Sequence, residues 1–282
     1  MNQVKLSKTA KKILQYVLML VLTFMVMLPL LWMLIMSFKT NSQILSEPLS
    51  MPNSFNFDNY IRALNTLDLP RLFVNTGVIA IVTLIIELVI TFMSSFVISR
   101  MHFKNKKLKQ SLYIFLLVGL TISPFILLFP VYRLTILFKL TRTYTAVIIP
   151  YIATSISFNT LLFVGYLNTL PRELDEAAVI DGCGIFRLVT NILVPIAKPV
   201  IATIIIFNVL YIWNEYPFAS TLIPEQAKYT LSLGASMFKG RYSVDYAGMV
   251  AASVMILAPQ LLFFGIFQRY LVEGMTAGAV KG

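Results

Sequence analysis

From Ile13 to Phe38 the chain carries no charged residue, and no other stretch restricts its fold as much. The run is longer than the roughly 20 residues that a helix needs to cross the hydrocarbon core of a bilayer. In lipid a helix satisfies every backbone N–H and C=O within its own segment, so the run predicts a spanning helix, with Pro29 as its kink. No small-residue cleavage site precedes Lys39, so this helix is expected to be retained and not removed as a signal peptide. Lys5, Lys8, Lys11 and Lys12 in front of it mark a cytoplasmic amino end.

The same reading places five more spans: Leu72 to Ser99, Gln110 to Tyr132 with Pro124 and Pro130 as kinks, one within Thr143 to Asn168, Val200 to about Leu222, and Ala247 to Phe267. The segment 39–71 reads as an external loop that ends in a short helix from Asp58 to Leu67, capped by Asp58 and lying on the membrane surface through Tyr60, Ile61, Leu64 and Leu67. Arg100, Lys104, Lys106, Lys107 and Lys109 form the densest basic cluster and mark a cytoplasmic loop. Fourteen of the 23 Lys and Arg residues fall on the side assigned to the cytoplasm and nine on the other, which puts both termini inside. With 58% hydrophobic and 12% charged residues, the fold class is an all-α polytopic membrane protein. The net charge of +11 follows from this topology and calls for no nucleic acid partner. Expected divisions are a cytoplasmic amino end (1–12), the first span (13–38), the external loop (39–71), a core with the other five spans (72–268) and a cytoplasmic tail (269–282).

One polar interval interrupts this pattern. Glu173 to Pro199 holds Glu173, Asp175, Glu176, Asp181 and Arg187 between two apolar spans, so it must face water. Pro171 suits a first helical turn, and the acids behind it sit where the positive end of a helix dipole favours them. Asp181-Gly182-Cys183-Gly184 breaks that helix; beyond it Ile185, Leu188, Val189, Ile192 and Leu193 predict a second short helix with one apolar face, ending near Pro195. Two helices meeting at a glycine elbow, within 171–199, make a docking knob.

Glu176-Ala177-Ala178, three residues, Gly182, nine residues, Ile192, one residue, then a position followed by Pro195 resembles the EAA loop of ABC importer permeases; Val194 stands where that pattern usually has leucine. Phe55 to Tyr60, Trp213 to Tyr216, Gln268-Arg269-Tyr270 and Gly274 to Gly282 are similar to the MalG-like branch of carbohydrate permeases. The resemblance implies a type I importer fold with six spans in a bacterial cytoplasmic membrane. It also implies ATPase coupling through Glu176, Ala177, Ala178, Asp181, Gly182, Ile192 and Pro195. The partners implied are a second permease subunit in a heterodimer, two ATPase subunits that use ATP and Mg, and an extracytoplasmic solute-binding protein. A carbohydrate is the implied cargo, and glycerol phosphate or another small solute the alternative.

The residues themselves carry little catalytic chemistry. No P-loop spacing occurs, the only histidine, His102, lies in a basic loop, and Cys183 and His102 are too few for a metal site. No catalytic residue, bound cofactor or metal is therefore expected. For a pathway, sugar hydroxyls ask for amides, carboxylates and aromatic faces; Asn208, Tyr211, Trp213, Asn214 and Glu215 in the fifth span supply them, although an interfacial aromatic belt accounts for the same residues. Glu87, a lone carboxyl in the second span, reads either as paired against another helix or as part of the pathway. A proton-coupled secondary transporter using Glu87 or Glu215 is the rival reading, and it leaves the water-facing elbow unexplained. The glycine-rich tail reads as too flexible to form an element of its own.

Overall fold

A computed structural model describes residues 8–55, 57–240 and 242–279. Lys5 and the end of the tail, Val280 to Gly282, lie outside these residues. Apart from a single bridge between Lys239 and Val244, the regular structure described is helical. Four helices are long and apolar enough to cross a membrane, or six spans if each of two bent helix pairs counts as one.

The chain divides into two compact units. The first comprises 1–68 and 235–257. Its long helix α1 (Lys8–Met36) runs on through Pro29. Behind α1 the loop folds on itself around α2 (Asn41–Ser46) and α3 (Asp58–Thr66). Lys39 is fully buried there: its ammonium donates to the carbonyls of Glu47 (3.0 Å) and Pro48 (2.9 Å) and lies 5.4 Å from the Trp32 ring centre. Asn59 donates to the carbonyls of Ser37 and Lys39, and the Phe38 ring packs edge-on against Phe55 and Phe57. The predicted cap and buried face of α3 both need correction. Phe57 occupies the cap position, with Asp58 inside the first turn, and the buried stripe is Asn59, Ala63 and Leu67, while Ile61 and Leu64 stay exposed. The register follows from the loop: Asn59 is drawn inward by two carbonyls that its one amide nitrogen satisfies together.

The second unit comprises 69–234 and 258–282. Helices α4 (Leu69–Arg100) and α7 (Thr145–Thr169) form its central pair. Between them α5 (Lys106–Leu117), extended by a tight turn over Val118–Thr121, meets α6 (Pro124–Leu137) at an angle of 98°. The third span was expected as one kinked helix and is instead broken there, because Pro124 lacks an N–H and the preceding Ser123 is extended. After α7 come α8 (Glu173–Ile180) and a second helical stretch, which begins as α9 (Ile185–Arg187), widens into a π turn over Leu188–Leu193 and resumes as α10 (Val194–Ile196). This stretch meets α11 (Lys198–Asn214) at 74°. The fifth span ends at Asn214 and not near Leu222, for the chain turns at Glu215 and re-enters a short α12 (Pro217–Leu222), followed by α13 (Leu231–Gly234).

Helix α14 (Tyr246–Ala279) starts in the first unit and ends in the second. It corrects the expectation for the tail: Gly274 and Gly278 lie within a continuing helix, since extending a formed helix costs far less than nucleating one.

Two apolar clusters fill the second unit. One joins Ile79, Val147, Tyr151, Ile212 and Phe218; the other joins Phe92, Phe96, Phe163, Leu167 and Val200 with Ala178, Leu188, Val189 and Leu193 of the elbow.

Candidate functional site

The elbow takes its shape from Gly182, whose φ of +71° lies in the left-handed region that residues with a Cβ resist. The N–H groups of Asp181, Gly182 and Cys183 close the end of α8 onto the carbonyls of Ala177, Val179 and Ala178. Gly184 then returns to extended geometry and starts α9. Of the residues matching the EAA pattern, Ala178 is buried and Ile192 half-buried, both against the apolar cluster, whereas Glu176, Ala177, Asp181, Gly182 and Pro195 face outward. The predicted apolar face of the second helix holds for Leu188, Val189, Ile192 and Leu193 but not for Ile185, which is exposed. Together Val179, Ile180, Ile185 and Phe186 form an apolar tip on this polar elbow, with Ile180 85% and Phe186 80% exposed. The acids of α8, Glu173, Asp175 and Glu176, lie in its first turn. Cys183 is a free, half-buried thiol against the same cluster.

Arg100, the last residue of α4, anchors this elbow, a role that the sequence reading missed. Its side chain is 4% exposed, and the guanidinium donates to the carbonyls of Leu167 (2.7 Å) and Leu170 (3.1 Å) at the end of α7 and pairs with Asp175 of α8 at 3.0 Å.

Deeper in the unit a polar seam runs between the helices. Thr83, Glu87, Thr91, Ser95 and Ser99, each four residues after the last, are buried on one face of α4. Facing them from α7 are Ser155, which donates to Glu87 at 2.5 Å, and Asn159, whose carbonyl accepts from Asn208 of α11 at 2.9 Å. The second carboxylate oxygen of Glu87 and the amide nitrogen of Asn159 are buried without a hydrogen-bond partner. Polar residues at fourfold spacing in two apolar runs are a signal that the sequence does carry.

The predicted pathway residues separate into groups. Tyr211 and Asn208 line a cavity of about 460 Å³ with Thr154, Ser155, Phe158 and Phe207, floored by Gly119 and Leu120 at the broken third span. Phe158 and Phe207 stack edge-to-face, their centres 5.4 Å apart. Glu87 reaches this region through Ser155. Glu215 is buried, and its carboxylate is occupied: it accepts from the N–H groups of Phe218 (2.7 Å) and Ala219 (3.0 Å) at the start of α12 and from the Tyr151 hydroxyl (2.6 Å). Trp213 turns away against Phe73, and Asn214 is exposed, its amide returned to the Leu210 carbonyl of its own helix. No cluster that could hold a metal occurs among the described residues.

A family described as binding-protein-dependent transport system inner membrane component matches residues 97–277. A diacetylchitobiose uptake system permease protein of Streptomyces coelicolor is 30% identical, over 94% of this chain and 88% of its own length. A trehalose/maltose transport system permease protein of Thermococcus litoralis is 30% identical, over 96% of this chain and 98% of its own. Among solved structures, a chain of a bacterial ABC transporter that imports the acidic polysaccharide alginate superposes with a TM-score of 0.75 at 17% identity, over 95% of this chain and 99% of that one.

Proposed function

Because the chain belongs to the family of binding-protein-dependent transport system inner membrane components, we propose that it is one of two permease subunits of an ATP-driven importer of carbohydrate. The observation that carries this reading is the apolar tip on the elbow. Val179, Ile180, Ile185 and Phe186 are too exposed to serve this chain's own core, and the Gly182 turn fixes their spacing. An exposed apolar tip on a polar elbow fits a cleft on a water-soluble partner, here the ATPase subunits, which use ATP and Mg. The permease itself carries no catalysis. Glu176, Ala177, Asp181, Gly182 and Pro195 present the outer surface of the dock, while Ala178 and Ile192 root it. Closure of the ATPases upon ATP displaces the elbow, and the spans rooted in the same apolar cluster follow, opening the pathway toward a binding protein on the opposite side. Both termini then lie in the cytoplasm.

Carbohydrate cargo is supported by the named relatives and by the cavity beside the broken third span. Phe158, Phe207 and Tyr211 offer ring faces to the C–H faces of a sugar, and Asn208, Thr154 and Ser155 offer groups for its hydroxyls. Glu215, occupied as a helix cap, shapes this region through Tyr151, whose ring packs edge-on against Tyr211 at 6.0 Å.

The test uses the tagged chain, co-expressed with its partners and purified in mild detergent. Ile180→Asp and Phe186→Asp place a charge where an apolar contact is expected; both should keep normal membrane levels and lose about tenfold or more of ATPase retention, a factor equal to 1.4 kcal/mol. Gly182→Val, strained by about 1–2 kcal/mol at positive φ, should lose most uptake, and Gly184→Ala, at negative φ, should not. Full retention of the ATPases by both charged variants would remove the dock from the proposal.

A further inference from the structure

Helix α8 has little to hold it. Among its residues only Ala178 is buried, and no side chain caps its first turn. What fixes its start is Arg100, and the geometry of that contact is unusual. One guanidinium serves three elements at once. Its Nη2 takes two carbonyls at the end of α7, where a helix leaves its last acceptors unsatisfied and favours a cation. Its Nη1 donates to Asp175 in the first turn of α8 at 3.0 Å and to the Pro171 carbonyl of the connection at 3.4 Å. The side chain itself springs from the last residue of α4. A planar fork of five N–H groups can make all four of these bonds; a lysine ammonium, with three donors on one atom, can make at most three.

The pair is also incomplete. Nε of Arg100 and Oδ1 of Asp175 are both buried without a partner, a donor and an acceptor left over on the same ion pair. The Nε–H points to the side of Nη2, away from the Nη1 that holds Asp175, so a shift of the carboxylate alone cannot satisfy both, and the contact rests on the four bonds that Nη1 and Nη2 make.

We propose that Arg100 is the positioning residue that ties the docking elbow to α4 and α7, so that a push on α8 moves both spans through one guanidinium. This rests on the reading of the elbow as the ATPase dock. Arg100 touches neither cargo nor nucleotide in this scheme; it converts motion of an eight-residue helix into motion of the spans.

The experiment uses the assembled complex with Cys183 replaced by serine and spin labels at Met101, just beyond α4, and at the exposed Glu173 of α8, measured with and without the ATP analogue AMP-PNP. With Arg100 present, the label separation should stay narrow in both states, because α4 and α8 move together. In Arg100→Gln the analogue should shift it by about 2 Å or more, the scale of helix shifts in such transitions, while the ATPases remain bound in a pull-down. Arg100→Lys should fall between the two, and Asp175→Asn, which keeps its shape, gives the same test should Arg100→Gln not accumulate. A separation in Arg100→Gln and Asp175→Asn that stays narrow in both states overturns the proposal. A separation broadened equally without nucleotide overturns it too, since that marks a local packing role alone. Failure of the dock itself shows elsewhere: Ile180→Asp would then retain the ATPases, whatever Arg100 does.

Discussion

Helices α1 and α7 are both spans by composition, yet the chain uses them in opposite ways. The apolar window of α1 has a mean hydropathy of 2.6 and none of it is buried inside the chain; that of α7 reaches only 1.8 and is 56% buried. In water the more apolar helix would be the inner one. In a bilayer lipid tails are as apolar as leucine, so hydropathy only keeps a helix in the membrane, and packing goes to helices whose small and polar residues can find partners on another helix. Helix α7 brings Ser155, Ser157, Asn159 and Thr160 to buried positions, and α4 answers with its stripe from Thr83 to Ser99. From Ile13 to Leu34, α1 offers mainly Leu, Met, Val and Phe, and its Thr23 hydroxyl returns to the Met19 carbonyl of its own helix. Where the polar side chains go is thus a better guide to the interior here than where the apolar ones go.

The largest effect that would break this comparison belongs to Glu87. Fully buried and bonded to Ser155, it should tolerate Glu87→Gln, with a loss within about 1 kcal/mol, because an amide keeps the shape and the hydroxyl contact. Glu87→Lys puts a longer cation in the same place at a cost of about 3 kcal/mol or more, and the chain should no longer accumulate in membranes. Equal membrane levels of the two variants in quantitative blots would mean that the seam is not an interior at all. A smaller effect is expected one layer away. Asn208→Leu leaves the Asn159 carbonyl buried and unpaired, which should lower the thermal midpoint in detergent by an amount equal to about 1–3 kcal/mol, and adding Asn159→Leu should recover part of it. Strict additivity of the two changes would sink the pairing. The smallest effect sharpens the other side: Leu20→Ala, on the exposed surface of α1, should change the stability of the isolated chain by no more than about 0.5 kcal/mol. A larger loss in the complex than in the isolated chain would identify α1 as a surface covered by a partner subunit.

Much of this was legible beforehand for a definite reason. The spans were readable because backbone polar groups leave lipid no other solution, and the elbow because a glycine between an acid-rich helix and an apolar stripe has few other uses. The broken third span was half legible, since Pro124 announced a disturbance but not an angle of 98°. What stayed hidden depends on residues far apart in the chain. Arg100 meets Leu167 and Asp175 across the connection between two spans, and it had been counted only as a charge that sets orientation. Glu215 looked like a pathway carboxylate because nothing in Trp213 to Tyr216 says that the chain turns there and uses the acid as the cap of α12. The π turn over Leu188–Leu193 had no sequence signal that we can identify.

Lys39 carries a consequence of a different kind. Loops are often held by a calcium ion, ligated by carbonyl and side-chain oxygens. Here the ammonium sits among the Glu47 and Pro48 carbonyls and the Ser50 hydroxyl in the same capacity, but it is covalently part of the loop it holds. Chelators cannot remove it and dilution cannot lower its occupancy, so this loop keeps its shape whatever the supply of divalent ions. Its vulnerability is genetic: one substitution, Lys39→Met, would strip the loop of its ion.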